Sequence, residues 1–243
     1  MVKLKRVFER KEKKYLLSLA DFELLSEFLD PYMEEDQFGL HTIISVYYDT
    51  DDYRMINRSI EKPKYKEKFR LRSYGVPQNS SEAFLEIKKK VRGVVYKRRV
   101  ALSYEAAKNY HLAKNSQEAV AHKDQQIRNE IDWLIARQKI TPKVMIAYDR
   151  RAYQLRDEQE TDFRVTFDFN IRYRTNDLDI SHGSQGKLVA PDVEVLMEVK
   201  ALGAYPVWFT EILSELGIYA GTFSKYAQTY LRHLSKEEMQ HVI

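Results

Sequence analysis

The chain contains no cysteine among its 243 residues, and glycine and proline are scarce at 8 and 6. The missing cysteine excludes a disulfide framework and thiolate metal sites, and it is consistent with a reducing cytosol. No low-complexity linker and no repeat of fixed period is visible. We therefore expect one compact domain over residues 1–243, large enough to bury a substantial core.

Long hydrophobic runs are also missing. The first residues have no apolar stretch of signal-peptide length, and no later segment reaches the length of a membrane span. Lys and Arg number 40 against 36 Asp and Glu, a formal net charge of +4, which is too mild to indicate a nucleic-acid binder. The sequence predicts a soluble cytoplasmic protein that binds no nucleic acid, and any membrane-protein partner would not be visible in it.

What the chain does contain is alternating strand patterns. Hydrophobic residues make up 44% and aromatic residues 12% of it, which is enough for a core. Strand-like segments occupy the first hundred residues and return from about residue 140. Between them, the periodicity predicts a helical insert at about 103–138, and two further helices are expected at about 205–235.

One segment raises a charge problem. In "KYKEKFRLRSYG", residues 64–75, period-two alternation places Lys66, Lys68, Arg70 and Arg72 on one face of a strand. Neighbouring cations at about 7 Å repel each other by roughly 0.6 kcal/mol even at the dielectric constant of water. The other face is apolar enough to pack on protein, so the row of cations needs a compensating partner.

Other strands repeat this arrangement, with single acidic residues among the cations. An open, half-exposed sheet is one explanation, although a solvated face usually mixes charges of both signs. The alternative is an α+β fold in which a closed antiparallel β-barrel of about eight strands forms a basic tunnel and the helices pack outside it. Such a lumen would suit polyanions, since phosphate oxygens pair with Arg and Lys side chains.

The order of short motifs then carries a family resemblance. The chain resembles the polyphosphate polymerase domain of the vacuolar transporter chaperone (VTC) family, a branch of the CYTH-like triphosphate tunnel metalloenzymes, through these blocks: "RKEKKY", "SVYYDT", "KFRLRSYG", "EIKKK", "YKRRV", "YDRRAY", "FRVTFD", "LMEVKAL" and "FSKY". Arg10 stands where the wider superfamily has the first glutamate of an E-x-E-x-K motif. This difference favours the VTC branch over a two-metal triphosphatase.

The resemblance implies a set of site residues. The expected catalytic residues are Lys14, Arg70, Arg72, Lys97, Arg164 and Lys200, and the expected phosphate-binding residues are Lys68, Lys88, Arg99, Arg150 and Lys225. A Mn²⁺ or Mg²⁺ ion is expected on Glu198, with Glu12 and Glu86 as further candidate ligands.

The resemblance also implies an activity, namely metal-dependent phosphoryl transfer on triphosphate or polyphosphate, with polyphosphate synthesis from ATP as the first expectation. An inorganic or nucleoside triphosphatase and a non-catalytic polyphosphate or nucleotide sensor remain alternatives. An RNA-binding sheet is disfavoured, because the phenylalanines alternate away from the cations.

Two of these residues also have an ordinary structural interpretation. Glu198 would equally pair with a lysine on a neighbouring strand. Lys225 lies where a helix is expected to begin, and an exposed helical lysine is the usual outcome there.

Overall fold

The computed structural model describes residues 10–61, 63–92, 94–110, 112, 122–157 and 162–235. The first nine residues, Gly93 and most of the middle of the predicted helical insert lie outside the described residues.

The described residues form eleven strands and six α-helices. The strands are β1 Arg10–Leu17, β2 Met33–Glu35, β3 His41–Asp49, β4 Tyr65–Tyr74, β5 Glu82–Val91, β6 Val94–Ser103, β7 Thr141–Leu155, β8 Phe163–Arg174, β9 Lys187–Leu188, β10 Val195–Leu202 and β11 Ala220–Gly221. The helices are α1 Leu19–Leu29, α2 Arg54–Ile60, α3 Tyr104–Lys108, α4 Gln125–Gln138, α5 Val207–Glu215 and α6 Lys225–Thr229, with a π-helical segment at Tyr230–Leu234. Within the described part of the chain, no helix is both long and apolar enough to cross a membrane.

The sheet is open, and this corrects the predicted fold. Hydrogen-bonded neighbours follow the order β11-β1-β10-β8-β7-β3-β4-β5-β6, with β2 beside β7 and β9 beside β8. Over the described residues this order ends at β11 and β6, so the prediction of a closed barrel of about eight strands is wrong. The error has a simple origin, because an open sheet and a barrel show the same alternation of polar and apolar residues.

The described residues group into two compact units, and strands β7 and β8 each contribute to both. Unit 1 contains the described part of 1–41 together with 149–170 and 191–223. Unit 2 contains 42–148, 171–190 and the described part of 224–243. The expectation of a single domain over 1–243 stays a prediction, and each unit is described by itself below.

In unit 1, the core lies between one sheet face and two helices. Tyr15, Met197 and Phe167 project from β1, β10 and β8 and are buried together with Leu25 of α1 and Phe209 of α5. Helix α1 begins after Ser18, whose Oγ accepts from the backbone N–H of Asp21 while its own N–H donates to the Asp21 carboxylate. Because alternate residues point the other way, Glu12 and Lys14 of β1 and the charged residues of β8 and β10 lie on the opposite face.

Unit 2 repeats this division of faces. The core residues Val46, Phe69, Leu85 and Val100 come from β3, β4, β5 and β6 and pack with Ile131 of α4. The side chains between them point to the other face, where the cations predicted from the alternation are found. The predicted alternation is therefore confirmed in this unit.

Candidate functional site

The polar face of unit 2 is built from residues that lie directly opposite each other on β3–β6. Arg70 lies opposite Tyr47 on one side and Glu86 on the other. Two residues along the strand, Lys68 lies opposite Lys88, which in turn lies opposite Lys97. The register thus places one carboxylate beside one cross-strand row of three lysines.

Glu86, Arg70, Arg72 and Lys97 form what we call the Glu86 cluster. Oε2 of Glu86 lies 2.7 Å from Nε of Arg70 and 3.6 Å from Nε of Arg72, and Oε1 lies 3.0 Å from Nζ of Lys97. The Glu86 side chain is only 2% exposed. Burial by itself would raise the pKa of Glu86, but the three cations outweigh it and lower that pKa to about 2. The carboxylate is therefore ionised at neutral pH and holds the cations in place.

Hydroxyl groups complete the positioning of the two arginines. Arg70 donates through Nη1 to the hydroxyl of Tyr47 at 3.0 Å. Arg72 donates through Nη2 to the hydroxyl of Tyr148 at 3.3 Å and through Nε to Oγ of Ser45 at 3.4 Å. Because these partners lie on strands, the two guanidinium groups are held in place without a ligand.

Lys68, Lys88 and Lys97 are called the lysine row below. Like charges directly opposite each other on a sheet are destabilising, and no acidic residue stands among the three registered positions. Lys68 donates from Nζ to Oγ of Ser224 at 2.9 Å, Lys97 pairs with Glu86 at 3.0 Å, and Lys88 and Lys97 are exposed. The row brings three ammonium groups together on one face, where they are available to phosphate oxygens.

Lys225 lies at the first residue of α6 and is buried rather than exposed, so its ordinary structural interpretation is wrong. Its residue exposure is 8%, and its Nζ lies 4.3 Å from the ring centroid of Tyr148. This contact is a cation–π interaction with the same tyrosine that binds Arg72. Helix α6 has only five residues.

Unit 1 presents its own polar face. Lys14 of β1 lies opposite Glu198 of β10, and Glu12 lies opposite Lys200. On the other side of β10, Lys200 lies opposite Arg164 of β8. Acidic and basic residues thus lie opposite each other between β1 and β10, whereas Lys200 and Arg164 are two cations in register between β10 and β8.

Glu198, Asp168, Lys14, Arg150 and Lys200 form the Glu198 cluster. Oε1 of Glu198 lies 3.0 Å from Nζ of Lys14, and Oε2 lies 3.5 Å from Nη2 of Arg150 and 3.8 Å from Nζ of Lys200. Lys14 also donates to the backbone carbonyl of Phe223 at 2.8 Å. The expected alternative, that Glu198 pairs with a lysine on a neighbouring strand, is confirmed by its contact with Lys14 of β1.

Asp168 is the second carboxylate of this cluster. Its side chain is fully buried, and its two oxygens accept from Nε and Nη2 of Arg150 at 2.5 and 2.8 Å. Such a bidentate pair is among the strongest ion-pair geometries in proteins. Arg150 is therefore held by Asp168 and makes only a longer contact with Glu198.

A known protein family matches this chain. The family model described as the VTC domain matches residues 9–233. The chain belongs to the VTC domain family. The resemblance inferred from the short motifs is thereby confirmed over nearly the whole chain.

A curated relative gives a second comparison. The VTC domain is 26% identical over 265 aligned residues to vacuolar transporter chaperone complex subunit 4 of Trypanosoma brucei brucei. The alignment covers 83% of this chain but only 33% of the relative. The chain therefore spans about a third of that protein's length.

Two solved structures share the fold at low sequence identity. A provisionally assigned adenylyl cyclase from Hippeastrum, described as having a dominant triphosphatase activity, superimposes with a TM-score of 0.53 at 15% identity and covers 91% of this chain and 95% of its own. A provisionally assigned adenylate cyclase from Bacillus halodurans gives a TM-score of 0.50 at 13% identity, with 88% and 95% covered. At these identities the comparisons establish the fold alone.

The residues of the Glu198 cluster fit a divalent cation only in part. Mg²⁺ and Mn²⁺ favour carboxylate oxygens, and Mg²⁺ is often held by one or two carboxylates together with substrate phosphates. Glu198 offers such oxygens, whereas both oxygens of the fully buried Asp168 accept from Arg150. Among the described residues, however, no group of three or more His, Asp or Glu side chains is arranged to hold a metal ion. A metal on Glu198 would therefore need phosphate oxygens as further ligands.

Glu86 and Glu12 fit this role less well. The oxygens of Glu86 are already paired with Arg70, Arg72 and Lys97 in a buried position. Glu12 is exposed at the edge of its face, opposite Lys200. Their assignment as metal ligands stays a prediction, and the geometry of Glu86 favours a structural carboxylate.

The remaining predicted site residues have partners of their own. Arg164 pairs through Nη2 with Oδ2 of Asp36 at 2.7 Å. Arg99 lies opposite Glu86 in the register and places its guanidinium 4.5 Å from the ring centroid of Phe84. Their roles in phosphate binding or catalysis stay predictions.

The sequence analysis missed several side chains that build these clusters. Asp168, Asp36, Tyr47 and Tyr148 all contact predicted cations. Asp168 gave a usable signal, because a carboxylate between two phenylalanines of a buried strand must find a cation. The tyrosines gave none, since aromatic residues in strands are ordinarily core residues.

Proposed function

We propose that the polar face of unit 2 binds a chain of phosphates. The observation that carries this proposal is the lysine row, in which three lysines face one another across three strands without an acidic residue in the register. Together with the fixed guanidinium groups of Arg70 and Arg72, the row offers both point charges and planar forks to phosphate oxygens.

The proposed reaction is phosphoryl transfer on triphosphate or polyphosphate, with polyphosphate synthesis from ATP as the preferred form. Membership in the VTC family supports this choice. The Trypanosoma relative is named as a subunit of the vacuolar transporter chaperone complex, so partner subunits for this chain are part of the same proposal.

Substrate positioning and charge neutralisation would provide most of the rate enhancement. The transition state of phosphoryl transfer is loose, with negative charge spread over the equatorial oxygens. Lysines and arginines that are already fixed stabilise that charge without reorganising during the reaction. A Mn²⁺ or Mg²⁺ ion, when bound, would supply further neutralisation of phosphate charge, and Glu198 is the residue we propose to hold it.

A triphosphatase is the second candidate. The Hippeastrum structure of the same fold is described as having a dominant triphosphatase activity. The two activities differ only in the acceptor, which is water for a hydrolase and a phosphate terminus for a polymerase.

Incubation with ATP and Mn²⁺ or Mg²⁺ tests the proposal, with separate assays for long-chain polyphosphate and for free phosphate. Polyphosphate formation supports the polymerase, and phosphate release without chain growth supports the triphosphatase. Binding of inorganic tripolyphosphate without either product indicates the sensor and rejects catalysis. Failure to bind tripolyphosphate at all contradicts the proposed function.

Matched variants locate the activity on the proposed face. The double substitution K88A/K97A removes two cations from the lysine row and is expected to weaken tripolyphosphate binding by about tenfold or more at low salt. The control K89A/K187A removes the same charge elsewhere, because Lys89 alternates with Lys88 to the opposite face of β5 and pairs with Glu130, and Lys187 is an exposed residue of β9. Equal loss in both variants would contradict the assignment to this face.

A further inference from the structure

A buried carboxylate outside both clusters links two helices of unit 2. Asp49 ends β3 and is fully buried. Its oxygens accept from the backbone N–H groups of Thr50, Met55 and Ile56 at 2.8, 2.9 and 3.0 Å, which anchors the start of α2. It also accepts from the hydroxyl of Tyr226 in α6 at 3.0 Å.

Tyr226 is held from a second side by the polar face. Its ring stacks on Tyr47 with a centroid separation of 4.8 Å and an interplanar angle of 22°. Burial and the neighbouring Asp49 carboxylate both raise the pKa of Tyr226. The phenol is therefore protonated at neutral pH, and its hydroxyl donates a hydrogen bond to Asp49.

Tyr226 directly follows Lys225 in the chain, so fixing one fixes the other. Three consecutive residues contact the polar face of unit 2, since Ser224 accepts from Lys68, Lys225 lies over the ring of Tyr148 and Tyr226 stacks on Tyr47. Helix α6 continues directly into the π-helical segment Tyr230–Leu234. The side-chain contacts of Tyr226 hold the first turn of this helix, and with it Lys225, against the polar face.

We propose that Asp49 and Tyr226 are positioning residues that hold Lys225 in the phosphate-binding face of unit 2. The inference rests on the proposed binding of phosphate by that face. It assigns Asp49 and Tyr226 a role that they perform through Lys225. A lysine side chain has four rotatable bonds and loses conformational entropy when it is held in one position. A lysine that is already held in place loses less of this entropy on binding and therefore binds an anion more tightly.

A double-mutant cycle tests this coupling, with inorganic tripolyphosphate as the probe and calorimetry as the measurement. Y226F removes only the hydroxyl that Asp49 accepts, and it preserves the ring stacked on Tyr47. We expect K225A to weaken binding by about tenfold and Y226F by roughly fivefold. The variant Y226F/K225A should match K225A within about twofold, because Tyr226 acts through Lys225.

A buried tyrosine elsewhere in unit 2 provides the matched control. Tyr104 is 1% exposed and donates its hydroxyl proton to Asp179 at 2.6 Å, as Tyr226 does to Asp49. Y104F should lower stability at least as much as Y226F but leave tripolyphosphate affinity unchanged. Multiplicative losses in the cycle, or equal affinity losses in Y226F and Y104F, would overturn the inference.

A second measurement requires no ligand. Lys225 is 8% exposed, so an amine-reactive reagent should label it slowly in the wild-type protein. In Y226F, we expect peptide mass spectrometry to detect several-fold faster labelling of Lys225, with no change in Y104F. Unchanged labelling would reject the positioning role even if tripolyphosphate binds. Faster labelling in a protein that binds no tripolyphosphate would support the positioning role and reject the proposed function.

Discussion

In the Glu86 cluster one carboxylate neutralises three cations, whereas in the Glu198 cluster two carboxylates pair with the cations. Glu86 is 2% exposed and contacts Arg70, Arg72 and Lys97. In unit 1, the fully buried Asp168 binds Arg150 in a bidentate pair. Glu198 pairs with Lys14 at 3.0 Å, makes longer contacts with Arg150 and Lys200, and has a side chain that is 10% exposed.

The difference separates two roles that look alike in the sequence. Glu86 and Asp168 are buried carboxylates that each hold a half-buried arginine, and losing either would leave that cation without its main partner. Glu198 can be altered while Arg150 keeps Asp168. Glu198 is therefore better suited than Glu86 to bind a metal or a substrate.

The largest expected effect is the loss of stability in Glu86→Gln. The pKa of Glu86 is lowered from 4.5 to about 2, which corresponds to about 3 kcal/mol of stability at neutral pH. Because the folded-state pKa is the lower one, this stabilisation is complete above the ordinary pKa and disappears as the pH falls toward 2. Urea unfolding of both proteins between pH 7 and pH 3 measures it.

The matched control for this prediction is Glu105→Gln, an exposed glutamate paired with Lys108. It should change the free energy of unfolding by less than about 0.5 kcal/mol. A similarly small change in Glu86→Gln would show that Glu86 is not the structural acid of its cluster.

The next effect concerns Glu198→Gln. We expect phosphoryl transfer to fall by about 100-fold, because a neutral amide is a poor ligand for a divalent cation. The free energy of unfolding should change by less than about 1 kcal/mol, since Asp168 still holds Arg150. Steady-state kinetics and urea unfolding test the two parts. Full activity combined with strong destabilisation would reverse the roles assigned to Glu198 and Glu86.

Asp168→Asn should resemble Glu86→Gln rather than Glu198→Gln. Replacing one carboxylate oxygen by an amide removes half of the bidentate pair with Arg150 in a fully buried position. We expect a loss of about 2 kcal/mol in the free energy of unfolding, measured by urea titration at neutral pH. A neutral result would mean that Glu198 replaces Asp168 as the partner of Arg150.

The smallest effect is expected for Lys97→Ala. The Lys97 side chain is 46% exposed, so its removal should cost less than about 1 kcal/mol of stability. The pKa of Glu86 should rise but stay below 4.5, because Arg70 and Arg72 remain. Carboxyl NMR titration measures this pKa. Lys89→Ala, on the opposite face of β5, should leave it unchanged, and a rise in both variants would contradict the assigned geometry.

Much of the local structure was predictable because side-chain direction in a strand depends on neighbouring residues alone. The row from Lys66 to Arg72 lies on one face of β4, as the alternation predicted, and Phe69 and Leu71 are buried on the other. The motif order also led to the VTC family, which the family model confirmed.

The partners of these residues could not be predicted with the same success. The pairing of Lys14 with Glu198 joins residues 184 positions apart, and that of Asp49 with Tyr226 joins residues 177 apart. Asp49 ends β3 and is a buried anchor for two helices, which its position in the sequence did not indicate. The ordinary interpretation of Lys225 as an exposed helical lysine is wrong, because the residue is buried over Tyr148.

The sequence by itself determined which side chains share a face, because a period of two is a property of each strand alone. Only the tertiary structure decided that the sheet is open, since closure depends on whether the first and last strands pair. It also decided that Asp168, not Glu198, holds Arg150. Such a choice depends on register, burial and distance between strands, and none of these is encoded in a single segment.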